Sequence, residues 1–218
     1  MTNQKKDQCS IDSQQNQKRY ENHEEITSFY QHHLDDMLSQ HSKVLQTRID
    51  LHLPKDQSIQ EDPKQIRDFS EYLTRDLKRN YPLPKEGQKR SSGSSHQTHS
   101  VDPRVIWVRE KHDGSPHHHF HSVVLVNGHA KKSGYDIHQR AIRQWANALG
   151  VDQEKAGPLV HYCNAPDPAS IKIDKNSTDY SETVEAAKKQ AGYLAKAKGK
   201  DKTPKHHWKV GGTRLKKS

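Results

Sequence analysis

The apolar positions of the chain alternate between two periods. Across residues 20–41, Ile26, Phe29 or Tyr30, Leu34 and Met37 or Leu38 recur at helical spacing. Residues 44–53 switch to period two. Leu45, Ile49, Leu51 and Leu53 share one face, and Arg48, Asp50 and His52 share the other, which predicts a strand that Pro54 ends. Asp62 and Pro63 then carry the N-cap and first-turn signature of a helix. Its stripe is Ile66, Phe69, Leu73 and Leu77, and it stops by Pro82. Two strands follow over 105–110 and 119–126. Their connector, KHDGSPHH, holds Asp-Gly and Ser-Pro and suits a hairpin. A helix over 136–149 carries Ile137, Ala141, Trp145, Ala148 and Leu149, with Gly150 as its C-cap. A short strand over 159–163, a turn at NAPDPAS and a last helix over 178–198 complete the series.

The order β-α-β-β-α-β followed by a helix predicts an α+β fold. Its expected form is an RRM-like or ferredoxin-like antiparallel sheet with two helices on one face. The additional C-terminal helix bears Tyr193 and can cover or flank the open face. The expected organisation is a disordered tail over 1–19, rich in Gln, Lys, Asp and Asn, and an N-terminal helix over 20–42. A single domain then spans 43–200, interrupted by a flexible loop at 85–101, and a basic tail spans 201–218.

Composition limits the core. Hydrophobic residues make up 29% of 218, enough for one modest core. The longest Leu/Val/Ile run is 123–126, so no transmembrane helix is expected. The N-terminus has no apolar signal segment. Cys9 and Cys163, without a CxxC, exclude a disulfide framework and fit a cytoplasmic setting. The net charge of +9 is unevenly placed: residues 188–218 hold eleven Lys/Arg against Asp201 alone. That stretch attracts polyanions by counterion release, and it lacks the bulky apolar residues a membrane surface would take up.

The candidate chemistry lies in Pro116-His-His-His-Phe-His121. A strand sets His119 and His121 on one face, expected toward solvent, with Phe120, Ser122, Val124 and Val126 on the other. If 110 pairs opposite 119, Glu110 joins the two imidazoles. One carboxylate and two imidazoles suit a divalent metal, manganese or magnesium, with open positions for phosphate oxygen and water. On the last helix, Tyr193, Lys196 and Lys200 share a face, so a phenol there has ammonium groups beside it. In a chain with 17 histidines a His-x-His arises by chance, so it is the combination and its order that carry weight.

That combination resembles the HUH-type replication initiator endonucleases, in the branch found in filamentous phages (inoviruses) and related prophages. The matching blocks are VIWVRE, GSPHHHFHSVVLVN, AIRQWANALG, GPLVHYCNAPDP and GYLAKAKGK, in family order over about 43–200. The resemblance implies His119, His121 and Glu110 as metal ligands and Tyr193 as the nucleophile that forms a 5′-phosphotyrosine link to DNA. It implies Lys196 beside the scissile phosphate, with Lys189, Lys198 and Lys200 contacting DNA. The text after Tyr193, LAKAKGKDK, departs from the family's Thr-Lys pattern, which leaves the role of Lys200 open. The implied activity is metal-dependent nicking and strand transfer at a replication origin, starting rolling-circle replication of a phage, prophage or plasmid. The expected partners are origin single-stranded DNA and a host helicase or polymerase. The alternative is a non-catalytic RRM-like module that binds single-stranded nucleic acid. A weaker one is a zinc hydrolase using His119, His121 and His161 or His52.

Overall fold

The computed structural model of the chain describes residues 24–56, 58–79, 99–111, 114–164, 168–195 and 208–215. The expected tail at 1–19, most of the loop at 85–101, and Lys196, Lys198 and Lys200 lie outside the described residues.

The chain runs α1 (Glu24–Gln40), β1 (Lys43–Leu51), α2 (Pro63–Arg79), β2 (Arg104–Glu110), β3 (His119–Asn127) and α3 (Gly134–Leu149). It continues through a short α4 (Gln153–Ala156), β4 (Val160–Tyr162), β5 (Ser170–Asp174), α5 (Tyr180–Ala195) and β6 (Val210–Gly212). Local signals explain several boundaries. Asp62 and Gln65 form a capping box at α2: the Lys64 N–H donates to the Asp62 carboxylate at 2.7 Å, and the Gln65 side chain accepts from the Asp62 N–H at 3.1 Å. Gly150 ends α3 in the left-handed region, at φ 68°.

The protein is α+β with one open antiparallel sheet, ordered β4-β1-β3-β2-β6. β5 pairs with the same edge of β1 as β4 does, at the opposite end: Lys43 to Thr47 face β5, and Ile49 to Leu51 face β4. Both faces are covered. On one, Leu45, Leu51, Phe120 and Val124 pack against Phe69 and Leu73 of α2 and Ile137 and Trp145 of α3. On the other, Val44, Ile106, Val123 and Leu125 pack against Leu34 and Met37 of α1 and Ala187, Ala191 and Leu194 of α5.

Three expectations change. The last helix begins at Tyr180 rather than 178, and its described part ends at Ala195. Ser170–Asp174, to which the sequence reading assigned no strand, forms β5, its Ile171 and Ile173 alternating with polar residues and burying under α5. Val210–Gly212, expected only as basic tail, forms β6 along β2. Among the described residues, no helix is long and apolar enough to cross a membrane.

Candidate metal centre

The hairpin of β2 and β3 fixes the cluster. Its register pairs Glu110 with His119 and Val108 with His121, so Glu110, His119 and His121 project from one face. His119 Nε2 lies 3.1 Å from His121 Nε2, which in turn lies 3.1 Å from Glu110 Oε2. One ligand atom from each residue lies within 4.8 Å of the others. Neighbouring ligands on a cation bound at ~2.1 Å sit roughly 3 Å apart, so these separations suit one ion between them. The donor set, two imidazole nitrogens and a carboxylate oxygen, suits manganese or zinc better than magnesium, which prefers oxygen ligands.

The imidazoles do not face solvent as expected. His119 is only 5% exposed, and the His52 ring stacks parallel to it with centroids 5.4 Å apart. His161, opposite Asp50 on β4, is exposed and has its Nδ1 3.8 Å from Cys163 Sγ. The three-residue cluster therefore comprises Glu110, His119 and His121 among the described residues, without His52 or His161.

Asp50, on the polar face of β1, is the functional residue that sequence reasoning passed over. Its Oδ1 stands 2.9 Å from His121 Nδ1, and β1 pairs Asp50 directly with His121. A carboxylate behind an imidazole fixes its orientation and leaves the other nitrogen for a metal. Burial opposes charge on His121, but the contacts with Asp50 and Glu110 outweigh it and push the imidazole up to about 9. Burial likewise raises Asp50, and His121 and Arg48 more than compensate, holding its carboxyl well below the usual range.

Arg48 donates to both Asp50 oxygens, at 3.4 and 3.0 Å, and its guanidinium lies 4.5 Å from the centre of the Tyr193 ring. Two residues, Arg48 and Asp50, thus link the half-buried Tyr193 to His121. A buried network holds α5 where this is possible. Gln46 accepts from the Tyr30 hydroxyl at 2.7 Å and donates to the Ala187 carbonyl and to Gln190, both at 2.9 Å. Tyr193 follows Gln190 by one turn. Lys189, on the same helix, is exposed.

The remaining histidines of the run serve the opposite face. His118 Nδ1 lies 2.6 Å from Glu61 Oε1, and the His118 N–H donates to Glu61 Oε2 at 3.2 Å. Arg109 reaches Glu61 at 3.3 Å and lies 5.1 Å from the centre of the Phe120 ring. Burial raises the Glu61 carboxyl, but His118 and Arg109 bring it down to about 2. Glu61 therefore clamps the hairpin from behind. His117 and His118 precede β3 and turn toward Glu61, whereas His119 and His121, two apart within the strand, share the cluster's face.

Comparison with known proteins adds a family. The chain is 25% identical over 182 residues, 77% of its own length and 83% of the relative's, to the uncharacterized protein YfjJ of Escherichia coli (strain K12). No solved structure matches it significantly. The model of the YagK/YfjJ C-terminal domain matches residues 6–208, nearly the whole chain, and the protein belongs to that family.

Proposed function

We propose that this protein nicks and rejoins single-stranded DNA through a 5′-phosphotyrosine intermediate, as an HUH-type initiator of rolling-circle replication. The observation that carries the reading is the Glu110–His119–His121 cluster on the same sheet face as Tyr193, linked to it through Asp50 and Arg48. The strand order β4-β1-β3-β2, with α2 and α3 on one face, supports the RRM-like form of the fold.

The Tyr193 hydroxyl oxygen attacks the scissile phosphorus. The bond from phosphorus to the 3′ oxygen breaks, and the phenol's proton ends on that oxygen as a free 3′-OH. The phosphotyrosine ester keeps the phosphodiester's energy, so a later 3′-OH reverses the step without a further energy source. Glu110, His119 and His121 would hold a divalent cation, which when bound supplies Lewis acidity toward a non-bridging phosphate oxygen. Arg48 lies against the phenol ring and favours the negative charge that develops on its oxygen. Asp50 fixes the His121 ring. Lys196, in the sequence one turn beyond Tyr193, is the expected partner of the phosphate.

The test incubates the full chain with a pool of random single-stranded oligonucleotides and MnCl2, then isolates covalent adducts and maps the modified residue by mass spectrometry. The expected result is an adduct on Tyr193, absent in Tyr193→Phe and in the His119→Ala plus His121→Ala variant. No adduct with the wild type, or an undiminished one with Tyr193→Phe, overturns the reading.

A further inference from the structure

An open cavity of about 1410 Å³ runs along β6, between the N-terminal half of α1 and the first turns of α2. It exceeds the ~300–1,000 Å³ usual for small-molecule pockets. Part of its lining is backbone that admits no side chain. A Cβ on Gly211 would come within 2.4 Å of the Trp107 ring, and one on Gly212 within 2.5 Å of the Val105 carbonyl. Two glycines thus let β6 lie flush on β2, so that a ligand can approach the chain closely.

At one end of the groove stands Trp208, an indole 78% exposed that buries little of its surface against the described residues. The register fixes where that end lies. Val210 pairs with Val108, and the Arg109 N–H donates to the Lys209 carbonyl at 2.9 Å. Trp208 therefore stands at the Glu110 end of the sheet, where the metal cluster is. Lys64, Arg67, Lys209 and Arg214 also line the groove. In all, five cations line it against three carboxylates; of the cations, Arg109 is buried and bound to Glu61 at 3.3 Å, and Arg67 lies 3.9 Å from Asp68. Two of those carboxylates are engaged: Glu71 by Arg75 at 2.5 Å and Asp62 by the first turn of α2.

We propose that this groove is a single-strand path: a base stacks on Trp208 while the backbone phosphates follow Arg67, Lys209 and Arg214. The proposal rests on the nicking reading for the strand's destination. An exposed indole accepts any base, and cations beside it track a phosphate backbone, which is how single strands are held without sequence preference. An extended peptide pairing with β6 is the competing occupant. It would draw on backbone hydrogen bonds and would depend on neither the indole nor the cations.

The experiment titrates a fluorescein-labelled 20-residue oligothymidylate with the full chain and follows anisotropy at several salt concentrations. Trp208→Ala is expected to weaken binding about tenfold, and Trp208→Phe to retain most of it. Arg67→Glu with Arg214→Glu is expected to flatten the salt dependence. An oligothymidylate carrying 5-iodouracil should cross-link to Trp208 by mass spectrometry. Wild-type affinity in Trp208→Ala, cross-links confined to other surfaces, or no oligonucleotide binding by the wild type overturns the proposal. The two readings fail separately. A Tyr193 adduct together with undiminished affinity in Trp208→Ala removes the groove and leaves nicking. Weakened binding in Trp208→Ala with no adduct in the wild type removes nicking and leaves the groove as a single-strand site.

Discussion

Removing the Asp50 carboxylate should weaken divalent-metal binding without touching a ligand. Asp50 Oδ1 stands 2.9 Å from His121 Nδ1, on the side of the ring away from Glu110 and His119. Without it, His121 loses the partner that fixes its rotation and tautomer. Such outer carboxylates are worth about 10–100-fold in metal affinity, or roughly 1.4–2.7 kcal/mol. Asp50→Ala should lose that amount. Asp50→Asn keeps an oxygen that can accept from the Nδ1–H and should lose less than tenfold. The alanine also strips Arg48 of both its bonds to Asp50. An arginine this poorly exposed, left without its carboxylate, destabilises the fold, so binding is measured well below each variant's Tm. Isothermal titration of MnCl2 into wild type, the two Asp50 variants and His119→Ala plus His121→Ala provides the affinities. A second readout is the rise in Tm with added metal, about 2.7 kcal/mol of stabilisation at a hundredfold excess over Kd. Undiminished manganese affinity in Asp50→Ala would refute the role given to Asp50. Undiminished affinity in the double histidine variant would refute the site itself.

Two further predictions concern the buried polar groups that hold α1 and α5 to the sheet. His33 is 1% exposed; burial first, and then the Arg104 charge, push its imidazole down from 6.5 to about 4. The unfolded chain therefore takes up this proton first. The stability that neutral His33 contributes is full above pH 6.5 and is lost as pH falls toward 4, up to about 3 kcal/mol. Urea midpoints at pH 7.5 and 4.5 should converge for His33→Leu relative to wild type, and parallel losses would refute the assignment. Gln46→Leu leaves the Tyr30 hydroxyl and the Gln190 side-chain oxygen without the Gln46 amide and removes a second donor from the Ala187 carbonyl. It should cost about 2–4 kcal/mol in urea unfolding and lower the yield of Tyr193 adduct at a temperature where the variant is folded. An unchanged midpoint and yield would show that the network does not anchor α5.

Much of the fold was legible because long stripes carry it. Ile66, Phe69, Leu73 and Leu77 all bury at helical spacing in α2, and Leu45, Ile49 and Leu51 bury together in β1. The hairpin register that brings Glu110 opposite His119 was only conditional in the sequence, because a slip of one residue turns Glu110 to the other face; the ladder between β2 and β3 fixes it. β5 alternates polar and apolar residues over Ser170–Asp174 but was passed over beside the turn NAPDPAS, and Val210–Gly212 is too short for a period to show. What makes them strands is tertiary: β5 fills the edge of β1 under α5, and β6 fits β2 because Gly211 and Gly212 can approach it. Trp208 was hidden for the same reason, as an indole inside a basic run says nothing of the groove beside it.

The second sheet face is more instructive, because what covers it explains why the imidazoles are buried rather than turned to solvent. Arg48, Asp50 and His52 alternate with apolar residues, which reads as a strand with one wet side. α1 and α5 cover much of that side, so its polar residues must find partners within the protein. They do so in sequence along one strand. Gln46 secures α5 through Ala187 and Gln190, Arg48 receives the Tyr193 ring that α5 delivers, and Asp50 fixes His121. Successive residues on one face of a strand are separated by only about 7 Å, and the backbone spacing between them is rigid. The position of the phenol relative to the imidazoles is therefore governed by β1, which contributes neither. It follows that a one-residue deletion within β1 should be more damaging to adduct formation than loss of any single lysine beyond Tyr193. Deleting Leu45, which precedes all three, turns Gln46, Arg48 and Asp50 to the apolar face together.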